Sequence, residues 1–507
     1  MSKHPHGSSS SDFENRRWKF WVAPQTSNGL MDSDHHSQLR AADNAHVWHP
    51  FTAMSAYTSE EAPIITHAEG FSLFDSQGKK YLDGHSSLWC NIHGHRVPEL
   101  DAALTSQIER VAHSTLLGIA NSSSIELAEE LVALSPPGLT RVFYTDCGAA
   151  GVEAALKIAW QYHRQKAHSE DRRLFACLEQ SYHGDTVGAV SVGGIDVFHS
   201  LFGGMTFPAL KLPTPARAST RGREFLPLET ILAKTEQLLD QQRDQLAAVI
   251  VEPLVQAAAG VLVHPPGYLQ ALRTMTAERG ILLIADEIAV GFGRTGKMLA
   301  CEHEKVAPDL LVLSKGLTGG YLPLAATLAT EEIFQCFSGE PWQGRTFYHG
   351  HTYTGNPLAC AVALASIRRM RTKNVLSNAC EIESCLRQRI QRWQSSKPAW
   401  LQHVHQIRHL GTMMAIDLVH RSEPVTPYPA ELRAGHQVTL ACRKRGIIQR
   451  NIGDSVILYP APAMPVDLVE ELLDGLEESL AEVTSRLQTL KSAGRTQSSE
   501  HSVKNME

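Results

Sequence analysis

Uninterrupted apolar runs are scarce in this chain of 507 residues. The longest, Leu246 to Val263, is broken by Glu252 and Pro253, so no stretch of about 20 apolar residues is available to cross a bilayer. Excess basic charge is lacking too. The 47 Lys and Arg against 53 Asp and Glu give a formal net charge of -6, whereas a duplex-binding protein usually carries a basic surplus to displace counterions from phosphates. No nucleic-acid or membrane partner is expected. The N-terminus, with Asp12, Glu14, Arg16 and Arg17, has no apolar segment ahead of a small-residue cleavage site, so no secretory leader is expected. The nine cysteines (90, 147, 177, 301, 336, 360, 380, 385, 442) are odd in number and never form C-x-x-C. They read as reduced thiols of a cytoplasmic protein. With 43% apolar and 20% charged residues, the chain also lacks the composition of a disordered protein.

What is present is an α/β pattern. Strand-length apolar runs occur at Arg141–Thr145, Leu174–Leu178, Leu246–Glu252, Ile281–Asp286, Leu310–Ser314 and Leu324–Leu328, with helical patterns among them. Gly148–Arg164 is one such helix, placing Val152, Ala155, Leu156, Ala159 and Trp160 on one face. This alternation implies a mostly parallel sheet covered on both sides. Near Ile367 it gives way to a long helical pattern, strands near Gly411–Leu418 and Val456–Tyr459, and a closing helix from about Asp467 to Leu490, which together suggest a smaller α+β domain.

Ligands of parallel sheets collect beyond the strands' carboxyl ends. Asp286 and Glu287 end one strand and Ser314-Lys315-Gly316 follows another, a spacing of about one α/β unit. Taken alone, Asp286 and Lys315 read as a salt bridge at the sheet rim. More converges there, however. Thr145-Asp146-Cys147-Gly148-Ala149-Ala150 turns a strand into a helix N-terminus, which suits phosphate. Ser181-Tyr182-His183-Gly184-Asp185 offers a ring at the same level. A phosphate cradle, a flat ring, a carboxylate and a lysine are the parts that hold pyridoxal 5′-phosphate, with the lysine as Schiff base and the carboxylate on the pyridine nitrogen. Three weaker signals are set aside. Gly291-Phe-Gly-Arg-Thr-Gly296 matches G-x-G-x-x-G but no opening βαβ unit surrounds it, so it reads as a loop. His93-Gly-His95 and His349-Gly-His351 lack the spacing of metal ligands, and no metal is expected. Cys147 has no base partner in the pattern and reads as a small residue filling the turn.

Ala285-Asp286-Glu287-Ile288-Ala289-Val290-Gly291-Phe292-Gly293-Arg294-Thr295-Gly296, Ser314-Lys315-Gly316, Tyr182-His183-Gly184 and His349-Gly350-His351-Thr352-Tyr353-Thr354-Gly355-Asn356-Pro357 occur in order and correctly spaced. Over about 440 residues the chain resembles the class III, fold-type I, pyridoxal-phosphate-dependent aminotransferases. Val47-Trp48-His49-Pro50-Phe51-Thr52 and Asp83-Gly84-His85-Ser86-Ser87-Leu88-Trp89 resemble the members that aminate 8-amino-7-oxononanoate in biotin synthesis. The resemblance implies a catalytic trio of Lys315, Asp286 and Tyr182. It implies phosphate binding by Gly148 and Ala149, completed by His351 and Thr352 from the other subunit of a homodimer. It also implies a substrate slot of Phe51, Trp89, Tyr182, Lys315 and Gly350, ending at Arg450 for the substrate carboxylate. The layout it implies is an extension over 1–44, an entrance segment of the small domain over 45–95, a large domain over 96–366, a small domain over 367–491 and a polar tail over 492–507. The extension is expected to be mobile and the tail frayed.

Members using S-adenosylmethionine as amino donor carry Tyr where this chain has Phe51, Trp where it has Leu88, Pro where it has His351 and often Ser where it has Ala149. Phe51, Leu88-Trp89 followed by Asn91-Ile92-His93-Gly94-His95, and His349-Gly350-His351 together look more like the subgroup that takes its amino group from L-lysine. Two other readings stay open: a class III ω-amino-acid aminotransferase or aminomutase, and a non-catalytic scaffold of the same fold.

Overall fold

The computed structural model describes residues 33–166, 171–215 and 226–503, and it resolves into two compact units. Unit 1 holds the described residues up to His67 together with Leu73–Lys80; unit 2 holds Ala68–Ser72 and everything from Tyr81 onward. In unit 1, Ser33–His46 forms helix α1. This corrects the expectation of a mobile extension for its last part, residues 33–44; residues 1–32 lie outside the described ones. The helix escapes notice in the sequence because polar contacts hold it rather than an apolar stripe. Asp43 accepts hydrogen bonds from the Tyr57 hydroxyl at 2.7 Å and from His49 Nε2 at 2.8 Å.

Unit 2 is built on a seven-stranded sheet. Its strands are β1 (Leu139–Thr145), β2 (Leu174–Leu178), β3 (Ala209–Leu212), β4 (Leu246–Val251), β5 (Leu282–Asp286), β6 (Leu310–Leu313) and β7 (Ala325–Thr330), in spatial order β1-β7-β6-β5-β4-β2-β3. All neighbours are parallel except β7, which runs against both β6 and β1. The centre of the sheet is apolar on both faces, as a parallel sheet under helices requires, and every residue of β4, β5 and β6 is buried. Helix α2 (Gly148–Lys166) covers one face. Its Val152, Ala155, Leu156 and Ala159 pack into a cluster with Ile250, Ile284, Leu310 and Val312, and each large side chain buried there contributes roughly 1.5–3 kcal/mol. Strand β3 is the one that the sequence pattern misses.

The 357–503 portion follows the expected order. Helix α3 (Pro357–Thr372) starts at Asn356, whose side chain accepts from the N–H groups of Leu358 and Ala359, so the Asn-Pro of the sequence motif is a helix cap. Helix α4 (Val375–Ser396) and α5 (Val466–Val503) flank an antiparallel sheet of β8 (Val404–Leu410), β9 (Met413–Leu418), β10 (Arg450–Ile452) and β11 (Ser455–Leu458), in order β8-β9-β11-β10. A second core forms here from Ile382, Leu386, Trp393, Val438, Leu472, Leu476 and Leu480. Helix α5 runs on through the stretch expected to fray, reaching Val503. Among the described residues, no helix is long and apolar enough to cross a membrane.

Candidate active site

Strand order explains why four distant segments meet. In the sheet, β2, β4, β5 and β6 are consecutive neighbours, with Cys177 beside Ile250, Val251 beside Ala285, and Asp286 beside Val312. Their carboxyl ends therefore deliver Tyr182 and His183, Glu252, Asp286, and Lys315 to one edge. At that edge lies a cavity of about 670 Å³. Trp89, Gly148, Ala149, Tyr182, Asp286 and Lys315, all named from the sequence, line it.

The phosphate turn is a real helix start. Gly151 N–H donates to Cys147 O at 3.0 Å, so the N–H groups of Gly148, Ala149 and Ala150 precede the first intrahelical bond. A side chain at Gly148 would place its Cβ 2.8 Å from Ile288 Cδ1, so anything larger than glycine at this turn would have to push the Ile288 side chain aside.

Asp286 is not a rim salt bridge to the lysine. Its Oδ2 accepts from His183 Nδ1 at 2.6 Å and its Oδ1 accepts from Ile288 N–H at 3.0 Å. Glu252 stands beside it, Oε1 accepting from Tyr182 N–H at 3.1 Å and Oε2 from Ala257 N–H at 3.0 Å. Burial, with the charge of Asp286 next, pushes the Glu252 carboxyl up to about 8. Burial pulls the Lys315 amine below its ordinary value, opposed by Asp286 and Glu252, which moves it toward the neutral form a nucleophile needs. Lys315 Nζ lies 5.1 Å from the centre of the Trp89 ring, and its φ of 46° holds the residue in a left-handed conformation. The Tyr182 hydroxyl donates to Asp185 Oδ2 at 2.6 Å.

Trp89 is presented by an unusual turn. Ser86, Ser87, Leu88 and Trp89 have φ of 50°, 46°, 70° and 66°, a left-handed turn without glycine that costs roughly 1–2 kcal/mol per residue. Its restraints are polar. Asp83 Oδ1 accepts from Ser87 N–H at 3.1 Å, and Oδ2 from the Ser87 hydroxyl at 2.8 Å. The Ser86 hydroxyl donates to Tyr459 O at 2.6 Å, and the Trp89 ring stacks on Tyr459 at 4.9 Å. Arg294, from the G-x-G-x-x-G loop, is buried with no carboxylate in salt-bridge contact among the described residues; it donates to Asn91 O at 2.8 Å and Pro460 O at 2.9 Å. That loop is thus a brace for the turn that carries Trp89.

The other residues that the resemblance assigned to the site do not line the cavity. Phe51 belongs to unit 1 and is exposed. Gly350 and Thr352 are exposed, and His351 Nδ1 lies 3.8 Å from Asp146 Oδ2, two residues ahead of the phosphate turn. Arg450, on β10, is partly buried, and burial pulls its guanidinium below its ordinary value. Conversely, the cavity includes His183, Asp185, Glu252 and Ser314, which the sequence reading did not assign. Glu252 had a signal, being the acid that ends an apolar strand. Among the described residues, no group of three or more His, Cys, Asp or Glu is placed to hold a metal ion.

A turn of free-standing N–H donors, an acid at the far wall, a flat ring and a desolvated amine fit pyridoxal 5′-phosphate. The comparisons agree. The model of the aminotransferase class-III family matches residues 54–480. The chain is 48% identical over 453 residues to the adenosylmethionine-8-amino-7-oxononanoate aminotransferase of Nitratidesulfovibrio vulgaris, covering 88% of this chain and 82% of that protein. It is 43% identical over 449 residues to the protein of the same name from Aquifex aeolicus, covering 88% and 97%. The crystal structure of the Methanocaldococcus jannaschii protein of that name is similar with a TM-score of 0.83 at 38% identity, over 88% of this chain and 99% of the other. A transaminase from a marine Virgibacillus gives 0.81 at 29%, over 89% and 100%. The chain belongs to the class III aminotransferases and is a pyridoxal 5′-phosphate-dependent transaminase.

Proposed function

We propose that this enzyme transfers an amino group to 8-amino-7-oxononanoate, forming 7,8-diaminononanoate for biotin synthesis. The observation that carries the reading is the 48% identity, over 88% of the chain, to a relative named for that acceptor. The donor is S-adenosylmethionine, the donor in that relative's name. The lysine preference read from the sequence starts from Phe51 and Leu88, with the segment 89–95 and His349-Gly350-His351; Phe51 and Leu88 are exposed, and Phe51 belongs to the other unit.

Bound in this cavity, the cofactor supplies an electron sink for the carbon that loses or gains the amino group. The Lys315 amine holds it and moves a proton at that carbon. Asp286 holds the proton of the pyridine nitrogen, and the N–H groups of Gly148 and Ala149 take the phosphate. Tyr182 and Trp89 wall the slot. Arg450 takes the far carboxylate of the oxononanoate, which a guanidinium fork matches. The working form is a cytoplasmic homodimer in which His351 and Thr352 of each subunit complete the phosphate site of the other.

Two single-turnover measurements test the reading. The aminated cofactor form, mixed with 8-amino-7-oxononanoate, is expected to return to the aldehyde form; no reaction there together with rapid reaction with pyruvate would favour the ω-amino-acid alternative. In the other half-reaction, faster bleaching with L-lysine than with S-adenosylmethionine at equal concentration would overturn the donor assignment alone.

A further inference from the structure

Lys157, Gln161 and Gln165 stand four residues apart along one line of α2, a spacing that in the sequence reads as an ordinary solvated face. The structure uses the line otherwise. Residues 345–349, which form neither helix nor strand, run along it in the opposite direction. Gln165 donates through Nε2 to Arg345 O at 3.3 Å, Gln161 to Arg345 O at 3.1 Å and Thr346 O at 3.2 Å, and Lys157 to Tyr348 O at 3.4 Å and His349 Nδ1 at 3.1 Å. The spacings match, since eight residues of helix rise about 12 Å and four extended residues span about 13 Å.

All but one of these contacts go to backbone carbonyls, so they fix the register of the segment rather than any one of its side chains. Phe347 pins the segment to the core, meeting the rings of Phe143 and Phe337 edge to face at 5.2 Å and 5.7 Å. A lysine amine only donates, so His349 Nδ1 accepts and the hydrogen of that ring sits on Nε2. The His349 ring meets His351 edge to face at 5.3 Å. Beyond it the chain closes a turn, His351 N–H donating to the Thr354 hydroxyl at 2.9 Å and Thr354 N–H to His351 O at 3.2 Å, before Asn356 caps α3. Thr352, exposed on that turn, is thus held by α2 on one side and by α3 on the other.

We propose that Lys157, Gln161 and Gln165 are positioning residues that act in trans: through residues 345–349 they hold His351 and Thr352 where the cofactor phosphate of the other subunit meets them. This role rests on the shared phosphate site of the homodimer proposed above. One helix then serves two sites, its N-terminus taking the phosphate of its own subunit and its flank setting the donors offered to the other. The two tasks are separable, because Lys157 lies nine residues, about 14 Å of helix, beyond Gly148. A defect in the ladder should therefore appear in the neighbouring site and spare the one beside it.

Lys157→Met together with Gln161→Met removes the two rungs nearest the turn while keeping good helix formers on α2. Mixed dimers of differently tagged chains carry Lys315→Ala in one chain, so that borohydride fixes cofactor at a single Lys315 and the dissociation constant is read from the yield of that peptide. With the ladder variant and Lys315→Ala in the same chain, the working site faces the altered turn. Its affinity is expected to fall by about tenfold or more, the loss of a charge-assisted hydrogen bond. With the two changes in opposite chains, the working site receives an unaltered turn and is expected to keep wild-type affinity, whatever the melting temperature of the dimer. An equal loss in both pairings, a loss confined to the second, or no loss in either would overturn the proposal. A third pairing puts Thr352→Ala in the Lys315→Ala chain; wild-type affinity there would instead remove the shared site on which the ladder acts.

Discussion

Replacing Glu252 by Gln should flatten the pH dependence of apoenzyme stability. The carboxyl is pushed from an ordinary 4.5 up to about 8, so between those values the folded chain holds a proton here that the unfolded chain has released. The free energy of unfolding therefore falls as pH rises through this window. Three and a half pH units at 1.36 kcal/mol each amount to about 5 kcal/mol of stability present below pH 4.5 and gone above pH 8. The glutamine does not titrate. It imposes a roughly constant loss of about 1–3 kcal/mol, because its single oxygen cannot serve the N–H groups of both Tyr182 and Ala257. The assay is thermal unfolding of both apoproteins at pH 5, 6, 7 and 8. An unfolding entropy of about 2.1 cal/mol/K per residue makes 1 kcal/mol worth about 1 °C in a chain of this length. The wild type should begin above the variant at pH 5 and lose about 3–4 °C relative to it by pH 8, because part of the window lies outside that range. Parallel pH profiles would show that the Glu252 carboxyl is ionised in the folded protein and refute the reasoning.

The remaining predictions concern the chemistry. Lys315→Ala should bind the cofactor without covalent attachment and lose activity by a factor of about 10²–10⁴ or more; borohydride labelling of another lysine in the wild type would reassign the anchor. Arg450→Ala should weaken kcat/KM for the oxononanoate by about 1.5–3 kcal/mol while sparing an amine that lacks a carboxylate, and equal losses on both would mark the arginine as structural. Mixing Lys315→Ala with Thr352→Ala protein should recover activity, since one site of the mixed dimer is whole. Full activity of a dilute monomer would rule out the shared site.

Much of the catalytic edge was legible because parallel strands leave their functional residues in a fixed place. Apolar runs of four to six residues announce β4, β5 and β6, and the residue after each is Glu252, Glu287 or Ser314, with Asp286 and Lys315 adjacent. Less legible was whatever depends on how strands are ordered. Asp286 and Lys315 invite pairing by proximity in sequence, yet His183, 103 positions from Asp286, takes the carboxylate because β2 and β5 both flank β4. Strand β3 was hidden by its brevity and by the charge of Lys211. The left-handed turn over Ser86–Trp89 has no signature in residue type, since nothing there is glycine or asparagine. Its conformation is imposed from outside by Asp83, Tyr459 and Arg294. Helix α1 was missed for a similar reason, being secured by Asp43 and its partners rather than by periodicity.

The interleaving of the central sheet also sets the order in which the protein can become competent as it is made. Strand β4 is the hub: its neighbours are β2, which precedes it in the chain, and β5, which follows it. Until about residue 286 has emerged, the acid wall of the cavity cannot exist, and until β7 has closed against β1 and β6, the start of α2 has no floor. The pairings involved join residues as far apart as Leu139 and Thr330, a separation that makes closure entropically costly and therefore slow. No partial translation product should capture the cofactor. Its yellow colour would then report complete assembly of the nascent sheet, and on this topology it would be among the last native properties to appear.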